Sequence, residues 1–309
     1  MDENALKQIG QLQAEFSNHI IGAPDVCEKM LIALIIGGHI LLIGLPGLGK
    51  TQMVKTFAQL LNLTFRRIQF TPDLMPSDIT GTEILEEGRL HFVEGPVFSQ
   101  VLLADEINRT PPKTQSALLE AMEEKTVTVL GKTRKLPEPF LTLATQNPIE
   151  FEGTYPLPEA QLDRFLFSIE LTYLSKELEA KMAKQTTGLR KAVKSVDMHW
   201  LQEMQSLVRQ MPMSDELINR VVQLVRSTRP QLSDIGAVKT GLRWGAGPRA
   251  IQSLILSARA AALLHGQVCV TPENILPFIL PVLQHRVIAE PSSDLTIHEI
   301  LSQCQKSVF

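Results

Sequence analysis

Residues 30–51 read MLIALIIGGHILLIGLPGLGKT, and the reading of this stretch decides the fold. From residue 30 to residue 49 there is no Lys, Arg, Asp or Glu, and length alone would suit a membrane-spanning helix. Gly37, Gly38, Gly44, Pro46, Gly47 and Gly49 argue against it, because glycine and proline at that density break a helix. The spacing instead predicts a helix stopping at Gly37-Gly38, a buried strand over 39–43 and a glycine-rich turn. A short apolar run between breakers is what a central parallel strand looks like, since both its faces are covered.

Outward from that strand, strand-like and helix-like stretches alternate. A helix is expected over 50–61, strands over 64–70 and 101–104, a helix over 113–124, and strands over 140–144 and 165–171. That alternation implies a parallel sheet with helices on both faces. Two hairpins interrupt it, one turning at Glu86-Glu87-Gly88 and one pairing 126–130 with 133–136 about Gly131-Lys132. After about Ser175 the apolar residues recur every three or four positions, which predicts helices over 176–184, 200–209, 215–228, 248–264, 272–283 and 297–303. The polar stretch 185–196 is the expected linker. The organisation read from this is an α/β nucleotide-binding domain over 1–184 and an all-helical domain over 185–309.

Composition narrows the function classes. The 309 residues are 44% hydrophobic, enough for a packed core and against disorder. Thirty basic and 33 acidic residues leave a net charge of -3, unlike a protein held to nucleic acid mainly by a basic surface. With 12 Phe, 2 Tyr and 2 Trp the chain is poor in base-stacking side chains. Cys27, Cys269 and Cys304 lack paired spacing, which excludes a disulfide framework or zinc finger. The acidic start, Met1-Asp2-Glu3-Asn4, carries no secretory pattern, and a cytoplasmic protein without a membrane span is expected.

Four groups of residues carry the chemistry. Gly44-Leu45-Pro46-Gly47-Leu48-Gly49-Lys50-Thr51 fits G-x-x-x-x-G-K-[ST] between an apolar strand and a helix, the context a phosphate-binding loop requires. Its glycines let backbone N–H groups curl around phosphates at the positive end of a helix. Lys50 would add a point charge between the β- and γ-phosphates, and Thr51 would ligate Mg²⁺. Next, Val101-Leu102-Leu103-Ala104 ends in Asp105-Glu106, two acids at the sheet edge where open α/β folds bind ligands. Asp105 would hold the metal through water and Glu106 would act as general base. Helix capping could explain one acid but hardly two in succession. Asn147, in Thr145-Gln146-Asn147-Pro148, could orient water beside the γ-phosphate, or mark only a turn.

Two arginines complete the set. Arg249 follows Pro248 at a helix start, where a cation opposes the helix dipole unless an anion sits there; a solvated surface arginine is the alternative. Arg164, whose only local acid is Asp163, could reach a neighbouring subunit's nucleotide as a finger.

These residues, with Pro112-Lys113-Thr114-Gln115-Ser116-Ala117-Leu118-Leu119-Glu120-Ala121-Met122 and Tyr155-Pro156-Leu157-Pro158-Glu159-Ala160-Gln161-Leu162-Asp163-Arg164-Phe165, resemble the MoxR family of AAA+ ATPases over residues 20–284. The resemblance implies an AAA+ P-loop parallel-sheet core with a C-terminal helical lid. It also implies ATP and Mg²⁺ as cofactors and a homo-oligomeric ring, usually a hexamer, with nucleotide between subunits. By the same resemblance Lys50 and Thr51 match Walker A, Asp105 and Glu106 Walker B, Asn147 sensor 1, Arg164 the arginine finger and Arg249 sensor 2. Ile21, Gly22 and Gln52 join the expected nucleotide contacts. The two hairpins resemble family inserts expected on the pore or partner side. Gly247 stands for a usual Ser, Ala23 for a usual Gln and Thr110 for a usual Ala, while the family arginine at Arg109 has no role assigned by chemistry.

The function implied is ATP hydrolysis coupled to remodelling, maturation or activation of a client protein, with von Willebrand factor type A domain proteins among the family's partners. A nucleic-acid translocase is the rival suggested by Lys125, Lys132, Arg134 and Lys135 on the second hairpin. A small-molecule kinase or a non-hydrolysing scaffold fits less of the residue set.

Overall fold

The computed structural model describes residues 3–86, 88–149, 153–187, 195 and 200–309. They divide into two compact units, one of Lys7–Phe165 with Ile169–Met198, the other of Met1–Leu6, Leu166–Ser168 and His199–Phe309.

Helices α1 (Glu3–His19) and α2 (Pro24–Ile36) come first. The sequence reading passed over α1, although Ile9, Leu12 and Phe16 bury one face at three- and four-residue spacing. As expected, α2 stops at Gly37, which takes the left-handed conformation (φ 73°) and closes the last turn. The uncharged run 30–49 is thus shared between α2, strand β1 (Ile40–Gly44) and the loop behind it. Among the described residues no helix is long and apolar enough to cross a membrane.

Next along the chain are α3 (Lys50–Leu60), β2 (Phe65–Gln69), α4 (Pro76–Thr80), the hairpin β3 (Gly81–Glu86) and β4 (Arg89–Glu94), and β5 (Val101–Asp105). Then come α5 (Pro112–Glu124), the hairpin β6 (Thr126–Val129) and β7 (Lys132–Lys135), β8 (Leu141–Gln146), α6 (Glu159–Leu162), β9 (Phe167–Leu171) and α7 (Lys176–Thr187). Five strands form one sheet in the order β2-β5-β8-β1-β9. The pairs β2–β5, β5–β8 and β1–β8 are parallel. β5 is covered on both faces: Val101, Leu102, Leu103 and Ala104 are wholly buried, and each of the larger three contributes about 1.5–3 kcal/mol.

The second hairpin turns one residue earlier than expected. Leu130 and Gly131 both have positive φ (48° and 77°), the geometry of a two-residue hairpin turn, so Lys132 already belongs to β7. Glu87 of the first hairpin's expected turn lies outside the described residues, as does the expected linker past Thr187 apart from Ser195.

His39 ties α5 to the sheet. Its Nδ1 accepts from the Thr142 N–H (3.0 Å) and its Nε2 donates to the Met122 carbonyl (3.1 Å). Burial pushes the imidazole pKa down to about 4 from the usual 6.5, with the nearby Lys125 charge adding to the effect. Protonation therefore favours the unfolded chain between those values, so this contribution is complete above pH 6.5 and is lost as pH falls toward 4. The difference amounts to about 3 kcal/mol. In denaturant titrations, stability of the wild type should fall more steeply from pH 6.5 to pH 4.5 than that of His39→Gln; equal slopes would remove His39 as the cause.

The second unit is helical: α8 (Trp200–Gln210), α9 (Asp215–Ser227), α10 (Gly236–Gly241), strand β10 (Leu242–Trp244), α11 (Pro248–Leu264), α12 (Ile279–Leu283), strand β11 (Ile288–Ala289) and α13 (Ile297–Val308). α11 packs on α8 and α9, and α9 on α13. Side chains cap the exposed starts: Ser214 accepts from the Leu217 N–H, and Thr296 and Glu299 form a reciprocal capping box. Two expectations are corrected. The unit is not wholly helical, because β10 and β11 pair antiparallel. The helix expected over 272–283 is two 3₁₀ turns (Pro272–Asn274 and Leu276–Phe278) followed by α12, since Pro277 lacks the N–H that would continue an α-helix.

Candidate active site

Strand register brings the expected residues to one edge of the sheet. Ile43 lies beside Gln146, Ala104 beside Ala144 and Gln69 beside Asp105, so the C-terminal ends of β1, β8, β5 and β2 finish together. β1 ends at Gly44 and α3 begins at Lys50, leaving the loop Leu45–Gly49 between a strand end and a helix N-terminus. Gly47 and Gly49 have φ of 87° and 75°, and a Cβ on either would meet nothing within 4 Å. Backbone conformation, not crowding, therefore asks for glycine here. The Lys50 ammonium donates to the Gly44 carbonyl at 2.6 Å, spanning the loop from end to start. Gln52 donates to the Thr56 hydroxyl one turn along α3, while Thr51 sits half-buried in the helix's first turn.

The two acids are held in different ways. Asp105, the last residue of β5, is buried, and its Oδ1 accepts from the Thr145 hydroxyl at 2.6 Å. Its Oδ2 accepts from Arg67 Nε (3.0 Å) and from an Arg67 terminal nitrogen (2.7 Å). Glu106 is a non-glycine residue in the left-handed region (φ 58°, ψ 49°), an arrangement costing about 1–3 kcal/mol that is characteristic of functional sites. Its N–H donates to Thr145 Oγ1 at 2.9 Å, and its Oε2 accepts from Gln69 at 2.6 Å and from Arg109 at 3.1 Å. Arg67 also donates to Gln69 Oε1 (2.6 Å), so one chain of hydrogen bonds runs Asp105–Arg67–Gln69–Glu106–Arg109.

The sequence reading missed Arg67, Gln69 and Thr145. The one available signal was the alternation on β2, where Ile68 is buried between two polar side chains on the other face. Arg109, which had no role, lies on the 3₁₀ turn Ile107–Arg109 directly behind Glu106.

Asn147 is buried just past β8, and its Oδ1 accepts from the Ile149 N–H (3.2 Å), which turns its amide nitrogen away from that turn. Arg164 pairs with Glu123 near the end of α5 at 2.9 Å. Gly22, with φ 81°, is held so close to Leu174 that no larger residue fits without a shift, and Ile21 precedes it. Arg249 belongs to the other unit, exposed in the first turn of α11 behind Pro248. Gly247 caps that helix without a side-chain hydrogen bond.

The sequence pattern described as "ATPase family associated with various cellular activities (AAA)" matches residues 39–167, and that of the "AAA lid domain" matches 236–303. The protein named Chaperone MoxR1 of Mycobacterium tuberculosis is 43% identical over 301 residues, 93% of this chain and 79% of that relative. The chain belongs to the MoxR family of AAA+ ATPases. Protein MoxR of Paracoccus denitrificans is 27% identical over 91% of the chain and 88% of its own length. A crystal structure from Cytophaga hutchinsonii superposes with TM-score 0.91 at 39% identity, covering 99% of this chain and 96% of that one.

The hairpins that resemble MoxR inserts are joined to each other. Glu83 on β3, whose side chain is only 5% exposed, pairs with Arg134 (3.2 Å) and Lys132 (3.5 Å) on β7. The Arg134 guanidinium also lies 3.8 Å from the centre of the Phe92 ring, directly across the hairpin from Glu83. Beyond this clasp Leu85, Leu90 and Leu130 are exposed at the tips.

Proposed function

We propose that this MoxR-family chain is an Mg²⁺-dependent ATP hydrolase that works in a ring, taken to be a hexamer, to remodel or activate a client protein. The observation that carries the reading is the shared sheet edge: a phosphate loop, a buried Asp, a strained Glu and a buried Asn end adjacent strands. The residues suit the metal. Thr51 and Asp105 offer hard oxygen donors, and Asp105 would serve the metal through water, since Arg67 and Thr145 already bond its two carboxylate oxygens. Bound there, Mg²⁺ would neutralise phosphate charge as the γ-phosphoryl departs.

The chain's own groups divide the remaining work. The loop N–H groups and Lys50 bind the phosphates, while Asn147 orients the attacking water and Glu106 takes its proton. Arg164 serves the neighbouring subunit's nucleotide, and Arg249 and Ile21-Gly22 contact the nucleotide from the lid and from the segment before α2. The client is a protein, with von Willebrand factor type A domain proteins the first class to try, and the compartment is the cytoplasm. A nucleic-acid client is less supported, because Lys132 and Arg134 are already paired with Glu83.

The direct test is phosphate release with Mg²⁺, with EDTA, and with DNA at low salt. Turnover of about 0.1–10 per second in Mg²⁺, abolished by EDTA and unmoved by DNA, is the expected result. DNA stimulation would revive the translocase, and consumption only with a small acceptor would indicate a kinase.

A further inference from the structure

We propose that Gln115 is a positioning residue that sets Arg164 by tying the segment ending in that arginine to the turn carrying Glu106 and Arg109. This rests on the reading of Arg164 as a finger. Gln115 is wholly buried in the first turn of α5, beside Leu118 and Leu119. Its Nε2 lies 3.2 Å from the Ile107 carbonyl, 2.9 Å from that of Thr110 and 3.0 Å from that of Tyr155. The first two carbonyls bracket the 3₁₀ turn behind Glu106, and the third belongs to the stretch leading through α6 to Arg164. Two N–H bonds shared among three carbonyls, those of Ile107 and Thr110 reached in buried contacts and that of Tyr155 in a part-buried one, make this amide the common anchor of both segments.

Three more contacts follow the same line. The Tyr155 N–H donates to the Asn108 carbonyl at 2.6 Å, Gln161 donates to the Ser116 hydroxyl at 3.2 Å, and Arg164 pairs with Glu123. Ser116 and Glu123 are seven residues apart and share one face of α5. The finger segment is therefore laid along a helix whose first turn grips the catalytic turn. A shift of that turn, driven by what Glu106 and Arg109 meet in their own site, moves the arginine offered to the next subunit.

Gln115→Met keeps the length and removes the N–H groups. Nucleotide affinity should stay within about twofold while kcat falls about tenfold or more. Location comes from mixed rings. Lys50→Ala subunits bind no nucleotide but still donate Arg164, so doping them into Arg164→Ala rings should restore hydrolysis, and doping them into Gln115→Met rings should do the same. If Arg164→Ala is rescued and Gln115→Met is not, Gln115 serves its own site and the proposal is overturned. If neither is rescued, the finger reading itself falls and takes this one with it. Wild-type kcat in Gln115→Met also overturns it. Should that variant melt early, Ser116→Ala, which cuts the Gln161 tie at a half-buried position, carries the same mixing test with a loss of about threefold.

Discussion

Glu106→Gln should bind ATP with nearly wild-type affinity and turn it over about 10²- to 10⁴-fold more slowly, the usual worth of a positioned general base. The substitution is nearly isosteric, and its amide oxygen can still accept from Gln69 and Arg109, which hold the carboxylate in the native site. What it cannot do is take a proton from water. Glu106 already holds a left-handed backbone that glutamine, of the same size and branching, enters at similar cost, so folding should not be the variable. Single-turnover rates and fluorescent-nucleotide titration separate the two quantities. Hydrolysis within about threefold of wild type would remove Glu106 as the base. The same variant, held in ATP, is the form in which a client should be captured by affinity purification.

Arg164→Ala should cost about 10³-fold or more in kcat, the range found for arginines that neutralise charge on a transferring phosphoryl group from outside the site. Within its own protomer Arg164 rests on Glu123, with the two side chains 29% and 34% exposed. A pair this solvated is worth at most about 1 kcal/mol, so the arginine is released cheaply and the variant should melt within a few degrees of wild type. A large drop in melting temperature, or unchanged turnover in assembled rings, would count against the finger.

The residues contiguous in sequence were the legible ones. Strand, glycine loop and helix start lie in one run of residues, and β5 declares itself by four apolar residues followed by two acids. Arg67 and Gln69 could not be read in that way. They reach the acids through the parallel pairing of β2 with β5, 37 or 38 positions away, and only strand register reveals which polar side chains of β2 face the site. Gln115 escaped notice for the same reason, because its partners are main-chain carbonyls, one of them 40 residues on. The broken helix at 272–283 was readable from Pro277, and apolar periodicity overrode it. The arginine on Glu106 was seen in sequence as Arg109 but gained a partner only when the left-handed turn brought the two together.

The strand order carries a consequence for how the chain becomes competent during synthesis. β1, which launches the phosphate loop, and β5, which carries the acids, are not neighbours; β8 lies between them and pairs with both. A growing polypeptide that has emerged as far as Glu106 owns the glycine loop, Lys50 and both acids, yet lacks the strand that joins β1 to β5. About 40 more residues must leave the ribosome before β8 can slot in and bring Thr145 and Asn147 with it. Nucleotide capture by ribosome-bound fragments of increasing length would thus report completion of the sheet, switching on only after Asn147 has cleared the exit tunnel.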